Sequence, residues 1–231
     1  DVAGYKQDRN HPWRPQATSG LSDALAVGEI SARRIWSRCR GEFAQGIPGI
    51  EPFLSEVCWR EFARELMSET PDMDRSCWRK EWNDFPWRAD NDDAEAWRRG
   101  RTGVPIVDAG MRELYVTGRM HNRVRMITAS FLIKHLLIDW RLGEQWFWDT
   151  LCDADYASNA TNWQWTAGTG VDSNMFSRIM APLSQSEKFD AARYIRTYVP
   201  ELKGLEEPYV HDPEEFGRRP SGYPRKIIAH K

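Results

Sequence analysis

Leu54-Ser55-Glu56-Val57-Cys58-Trp59-Arg60-Glu61-Phe62-Ala63-Arg64-Glu65-Leu66 is the stretch whose reading decides the fold class. Leu54, Val57, Cys58, Phe62 and Leu66 recur at steps of three to four residues, which lines one face of an α-helix. With Pro71 as its stop, the segment predicts an amphipathic helix of about four turns. The same punctuation continues on both sides. Ser31 reads as the N-cap of a helix over Ala32 to Arg40, with Ile35, Trp36 and Cys39 on one face. Pro105 takes the first-turn position of a helix that carries Ile106, Ala109 and Leu114 and closes at Gly118. Met120 to Asp139 is the most apolar segment and predicts the central buried helix. A short amphipathic piece around Trp146 and Trp148 and a helix over Asp153 to Thr166 follow. Ser68 to Asp93 and the tail from Lys203, with Pro208, Pro213, Pro220 and Pro224, read as loops. No alternating run is long enough for a strand, so the expected fold is all-α, a helical bundle spanning residues 1–231.

The 231 residues carry 32 Lys and Arg against 34 Asp and Glu, a net charge of -2, with 12 Trp and 4 Cys. That balance excludes a basic nucleic-acid tail, and the ordinary apolar content excludes a disordered chain. Lys134 and Asp139 cut the best candidate for a membrane span. The chain starts Asp1-Val2-Ala3-Gly4-Tyr5, without initiator Met or signal core, and reads as a fragment whose natural start lies upstream. Cys39, Cys58, Cys77 and Cys152 form no C-x-x-C pair and read as reduced core thiols of a cytoplasmic protein. Charge is uneven along the chain. Arg98 to Lys134 holds eight basic and two acidic residues, whereas His135 to Asp155 holds one basic and five acidic. Such a basic stretch suits either a polyanion or a solvated helix face.

Four constellations offer chemistry. Glu56, Trp59 and Arg60 stand at i, i+3 and i+4, so an acceptor, a stacking plate and a cation share one face. The same spacing also describes an amphipathic helix with a Glu-Arg pair and a core Trp. In His121-Asn122-Arg123-Val124-Arg125-Met126, polar groups enter the most apolar segment and need partners, for which Asp153 and Asp155 are the candidates. A pair between Arg125 and Asp153 serves equally as structure or as the floor of a site. In Asn159-Ala160-Thr161-Asn162-Trp163-Gln164-Trp165, a helix turns Trp163 and Trp165 about 200° apart, so one can line a pocket while the other points inward. Thr18-Ser19-Gly20-Leu21-Ser22 places hydroxyls before a helix, as in a phosphate seat or an ordinary cap cluster. No metal is expected, because no H-E-x-x-H or paired Cys/His motif occurs.

Taken in order, these segments resemble the flavin-binding helical domain of the DNA photolyase/cryptochrome family. The resemblance runs from about Tyr5 to Leu202. It rests on Thr18-Ser19-x-Leu21-Ser22, Trp59-Arg60-Glu61-Phe62, Thr102-Gly103-x-Pro105-Ile106-Val107-Asp108-Ala109, His121-Asn122-Arg123-x-Arg125-Met126, Asn159-x-x-x-Trp163-Gln164-Trp165 and Gln185-Ser186-Glu187-Lys188-Phe189-Asp190. It implies non-covalent FAD held by Tyr5, Thr18, Ser19, Gly20, Leu21 and Ser22 at the phosphates. Arg60, Arg125, Asp153, Asp155 and Asn159 surround the remainder, with Asn159 near the flavin nitrogen that takes a proton on reduction.

The resemblance is greatest to the cyclobutane pyrimidine dimer photolyases, lyases that repair DNA by light-driven electron transfer. It implies a partner, DNA carrying pyrimidine dimers, and a monomeric enzyme. Glu56, Trp59, Asn122, Met126 and Trp165 correspond to the lesion pocket, with Glu56 supporting the dimer during splitting, and Arg9 and Arg123 to contacts with the DNA backbone. Trp163, Trp140 and Trp87 correspond to an electron relay from flavin to surface. The chain departs from the family at Gly20, where Arg is usual, at Phe53, where many members carry Trp, and at Asn162, where many carry Gly. The family's N-terminal α/β antenna domain is absent from this sequence, so the resemblance leaves the antenna pigment open. The rival readings within the family are a cryptochrome-type photoreceptor and a (6-4) photoproduct photolyase. Trp59, Trp165 and Asn159 match the repair pattern, and the second rival has adjacent histidines where this chain has His121-Asn122.

Overall fold

The computed structural model describes residues 2–228; the ends of the domain expected over 1–231, residue 1 and residues 229–231, lie outside them. In chain order the described residues form α1 (Tyr5–Asp8), α2 (Ser22–Ala26), α3 (Ala32–Ala44), α4 (Ile50–Glu69), α5 (Asp92–Arg98), α6 (Pro105–Thr117), α7 (Asn122–Ser130), α8 (Trp140–Thr150), α9 (Tyr156–Ala167), α10 (Pro182–Lys188) and α11 (Ala192–Tyr198). Among them no sheet forms, and one isolated parallel bridge joins Arg88 to Ile138. The fold is all-α, as the apolar spacing predicts. No described helix is long and apolar enough to cross a membrane.

Local chemistry sets the boundaries. Ser31 accepts the Arg34 N–H at 3.2 Å to start α3, Asp155 accepts that of Ser158 at 3.0 Å to start α9, and Pro105 opens α6. The helix α4 begins earlier than its apolar stripe, because Pro52 falls in the first turn, where it forfeits no intrahelical bond. At the centre lies α6, buried along most of its length from Pro105 to Leu114. Packed against it are α5, α7, α10 and α11, while α4 and α8 flank α9.

Several expectations need correction. The single helix over Met120 to Asp139 is broken: α7 gives way to a π-helical turn, Phe131–His135, and Leu137 takes a left-handed φ of 55°. Asp139 then accepts the Arg141 N–H at 3.0 Å and caps α8, so the residue read as the end of one helix is the start signal of the next. The cysteines are free, as expected, but only Cys77 is buried, while Cys58 and Cys152 are exposed. The stripe of α4 buries Leu54, Val57, Ala63 and Leu66 and leaves Cys58 and Phe62 toward solvent.

The tail from Lys203 lacks regular helix yet is part of the core. Val210 and Tyr223 are buried, Tyr223 donates its hydroxyl to Asp108 at 2.6 Å, and the Ile227 N–H reaches the Thr102 carbonyl at 3.0 Å. The basic run from Arg98 to Lys134 is no open cationic face either. Arg98 pairs with Asp90 and Glu95, Arg99 with Glu95, Arg112 with Glu201, Arg119 with Asp23 and Arg125 with Asp153.

Candidate functional site

On the second and third turns of α4, Glu56 and Arg60 do not pair with one another as their spacing allowed. Glu56 instead accepts Arg9 Nη1 at 2.5 Å, and Arg9 lies over the Tyr5 ring at 5.2 Å. Three residues expected to serve the site are thus joined across α1 and α4. Trp59 between them is 60% exposed, edge-on to Phe62 at 5.7 Å, which rules out the core-Trp alternative. A large indole held in solvent is an unused apolar surface.

Arg60 turns the other way. It donates to Asp155 at 2.7 Å and to the Leu25 carbonyl at 2.9 Å, while Arg64 reaches the same Asp155 oxygen at 3.3 Å. Burial raises the Asp155 carboxyl, but the Ser158 N–H and the two guanidinium groups outweigh it and hold the group below its ordinary value. Arg125 donates to both Asp153 oxygens at 2.9 Å and to the Met120 carbonyl at 2.8 Å, so the anticipated Arg125–Asp153 pair forms. On the first turn of α7, Asn122 is exposed, whereas Arg123 bonds Asn10 Oδ1 at 2.8 Å and approaches Met126 Sδ at 3.7 Å. His121 caps this helix through Nδ1, 3.2 Å from the Arg123 N–H. Burial and neighbouring arginines push its imidazole down to about 4, so it is neutral and cannot act as a cation here.

Sequence reasoning missed Glu144. Asn159 Nδ2 donates to the Glu144 carboxylate and to its carbonyl, both at 2.9 Å. Glu144 is buried, and burial pushes its carboxyl up to about 7 against the opposing pull of the Asn159 bond. A signal was present: Glu144 stands four residues after Trp140 and three before Phe147, on the buried stripe of α8. Beside it Trp163 packs onto Gly143, where any Cβ would collide with the indole. Trp163 and Trp140 are buried and Trp87 is half-buried. Trp165, two residues on, is half-buried with the Arg178 guanidinium 3.4 Å from its ring centroid. The sequence anticipated the opposed faces of Trp163 and Trp165 but not Arg178.

Thr18, Ser19 and Ser22 are exposed. Helix α2 beyond them has only five residues and no side-chain cap, so this segment offers hydroxyls and backbone N–H groups more than a helix dipole. Gly20 has φ 64° and open space on the side where a Cβ would project. Between α2, α3 and α4 opens a depression of about 350 Å³ with Arg33, Arg60 and Arg64 on its wall. A second one of about 250 Å³, lined by Arg64, Met67 and Asp155, shares Arg64 with it. No cluster of metal-ligating side chains occurs among the described residues.

Residues 53–231 match the family described as the FAD binding domain of DNA photolyase, and the chain belongs to that family. The deoxyribodipyrimidine photo-lyase of Agrobacterium fabrum is 53% identical over 99% of this chain and 50% of its own length; that of Vibrio cholerae is 45% identical over 100% of this chain and 50% of its own. A class III photolyase structure from Agrobacterium tumefaciens superposes with a TM-score of 0.91 at 48% identity, covering 99% of this chain and 50% of that one. A Synechocystis cryptochrome gives 0.89 at 35% identity, with the same coverage. The chain therefore spans about half the length of these relatives. Its donor set fits the cofactor that the family description names: the exposed hydroxyls of Thr18, Ser19 and Ser22 suit a pyrophosphate, although they lie outside both depressions, and the half-buried Arg60–Asp155 and Arg125–Asp153 pairs suit the polar edge of a flavin.

Proposed function

We propose that this chain binds FAD and damaged DNA and repairs cyclobutane pyrimidine dimers in a light-dependent lyase reaction. The observation that carries the reading is a pair of indoles: Trp59, exposed beside the Glu56–Arg9 pair, and Trp165, half-buried under the Arg178 guanidinium. Two fused bases flipped from a duplex need stacking plates of this kind. Bound FAD supplies light absorption and one-electron donation.

The residues of the chain do the rest. Thr18, Ser19, Gly20, Leu21, Ser22 and Tyr5 take the phosphate region, and Arg60, Arg125, Asp153, Asp155 and Asn159 take the flavin. Trp59, Trp165, Asn122 and Met126 enclose the dimer and exclude water. Arg9 and Arg123 meet the DNA backbone. Glu56, released from Arg9 when phosphate competes for that guanidinium, is free to hydrogen-bond a base edge while negative charge resides on the dimer. Trp163, Trp140 and Trp87 pass an electron deficit outward to solvent.

The deciding experiment is illumination of a dimer-containing oligonucleotide with the FAD-loaded protein. Dimers should split only in the light, and Glu56→Ala should lower the yield per absorbed photon while leaving much of the binding intact, since a contact to the charged intermediate acts on rate more than on affinity. Absence of light-dependent splitting by FAD-loaded protein would favour a photoreceptor instead.

A further inference from the structure

The indole of Trp165 lies near the end of α9, and the guanidinium over it comes from the loop 168–181 that follows. One stretch of chain ties this loop at several points. Lys134 Nζ donates to the Ala167 carbonyl at 2.6 Å and to the Met175 carbonyl at 2.5 Å. Ser130 donates to the Arg178 carbonyl at 2.8 Å and accepts the Met180 N–H at 3.0 Å. His135 Nε2 stands 3.3 Å from the Met180 carbonyl. Ser130, Lys134 and His135 are spaced i, i+4 and i+5, which the π-helical turn Phe131–His135 brings to one side.

Lys134 bonds both the helix and the loop. Ala167 ends α9, so its carbonyl has no partner within the helix, and an ammonium there also meets the negative end of the helix dipole. Met175 lies three residues before Arg178, which takes a left-handed φ of 60° that a non-glycine residue adopts only under constraint. Among the described residues no carboxylate pairs with Arg178; it bonds Ser177 Oγ at 3.0 Å and the Asp172 carbonyl. We propose that Lys134 is a positioning residue for lesion recognition, its amine tying the end of the helix that carries Trp165 to the loop that carries Arg178 and so fixing the indole–guanidinium gap. Burial, together with Arg178, brings the Lys134 amine down to about 8, so it remains largely charged at neutral pH. The proposal rests on the reading of Trp165 as a lesion plate.

The test compares binding of a duplex carrying one thymine dimer with binding of the same duplex undamaged, using FAD-loaded protein. Lys134→Met should weaken binding of the dimer duplex by about tenfold, the scale of one well-made polar contact, with flavin content and undamaged-DNA affinity nearly unchanged. In a Trp165→Ala background the same change should add little, because the plate it places is gone. Should Lys134→Met not fold, Lys134→Gln, which keeps a donor and loses the charge, carries the same expectation in smaller degree. Equal losses on both duplexes, or loss of flavin, would make Lys134 a general staple and overturn the proposal. A selective loss with Trp165→Ala but none with either Lys134 variant would overturn it and leave the lesion pocket standing; no selective loss with Trp165→Ala would overturn both.

Discussion

Trp59 and Trp165 differ in what holds them, one leaning on Phe62 of its own helix and the other under Arg178, yet both face the same task in the proposed pocket. Replacing either with Ala should cost about 1–3 kcal/mol of binding to dimer-containing DNA. Undamaged DNA, bound through its phosphates, should lose far less. Titration of the two DNAs against each variant measures the difference, and parallel losses would remove both residues from the pocket. A second expectation belongs to Glu144, whose carboxyl is raised to about 7. The folded protein holds that proton more tightly than the unfolded chain, so the stabilisation is complete below about 4.5 and is lost as pH rises toward 7. In cofactor-free protein, stability relative to Glu144→Gln should therefore fall between those values, as denaturation at a series of pH values would reveal; parallel curves would contradict it. The sequence named Asn159 but not its partner, because a carboxylate on an apolar stripe is legible only once the stripe is known to be buried.

At the scale of elements, the helices were readable where a cap or a proline marked them. Ser31, Pro105 and Gly118 fall where the reading put them. The long apolar run from Met120 misled because hydrophobicity does not distinguish one helix from two joined by a wide turn, and only Asp139 carried the correction. The pairing of Arg125 with Asp153 was foreseeable from the need of a half-buried cation for a partner. That of Glu56 with Arg9 was not, since 47 residues separate them. The three indoles of the proposed relay stand on separate pieces: Trp163 on α9, Trp140 at the start of α8, and Trp87 next to the Arg88–Ile138 bridge that draws its segment toward α8. Trp163→Phe should abolish light-driven reduction of oxidised FAD in the presence of an external reductant. Repair after chemical reduction should stay nearly normal. Transient absorption and a repair assay on the pre-reduced variant decide between them, and photoreduction at the parent rate would exclude Trp163.

Across the whole molecule, the tail that the sequence marked as loop turns out to complete the core. Asp108 is wholly buried, receives the Thr102 and Gly103 N–H groups and the Tyr223 hydroxyl, and burial raises its carboxyl above the ordinary value despite those donors. Tyr223→Phe leaves this carboxyl one donor short and should lower unfolding free energy by about 1–3 kcal/mol, read from the denaturant midpoint. Proline-rich composition hid this role, because Pro and Gly report the lack of regular helix and say nothing about burial. The contact between Asp108 and Tyr223 also closes a loop of 115 residues. Most local helical contacts can form in microseconds, but a pairing so distant along the chain waits on the collapse of everything between, and its loop entropy is met only once the intervening helices have docked. The helices that carry the proposed cofactor and lesion groups all lie at or before residue 167. The docking of the tail, a segment that carries none of them, is therefore expected among the late steps of folding.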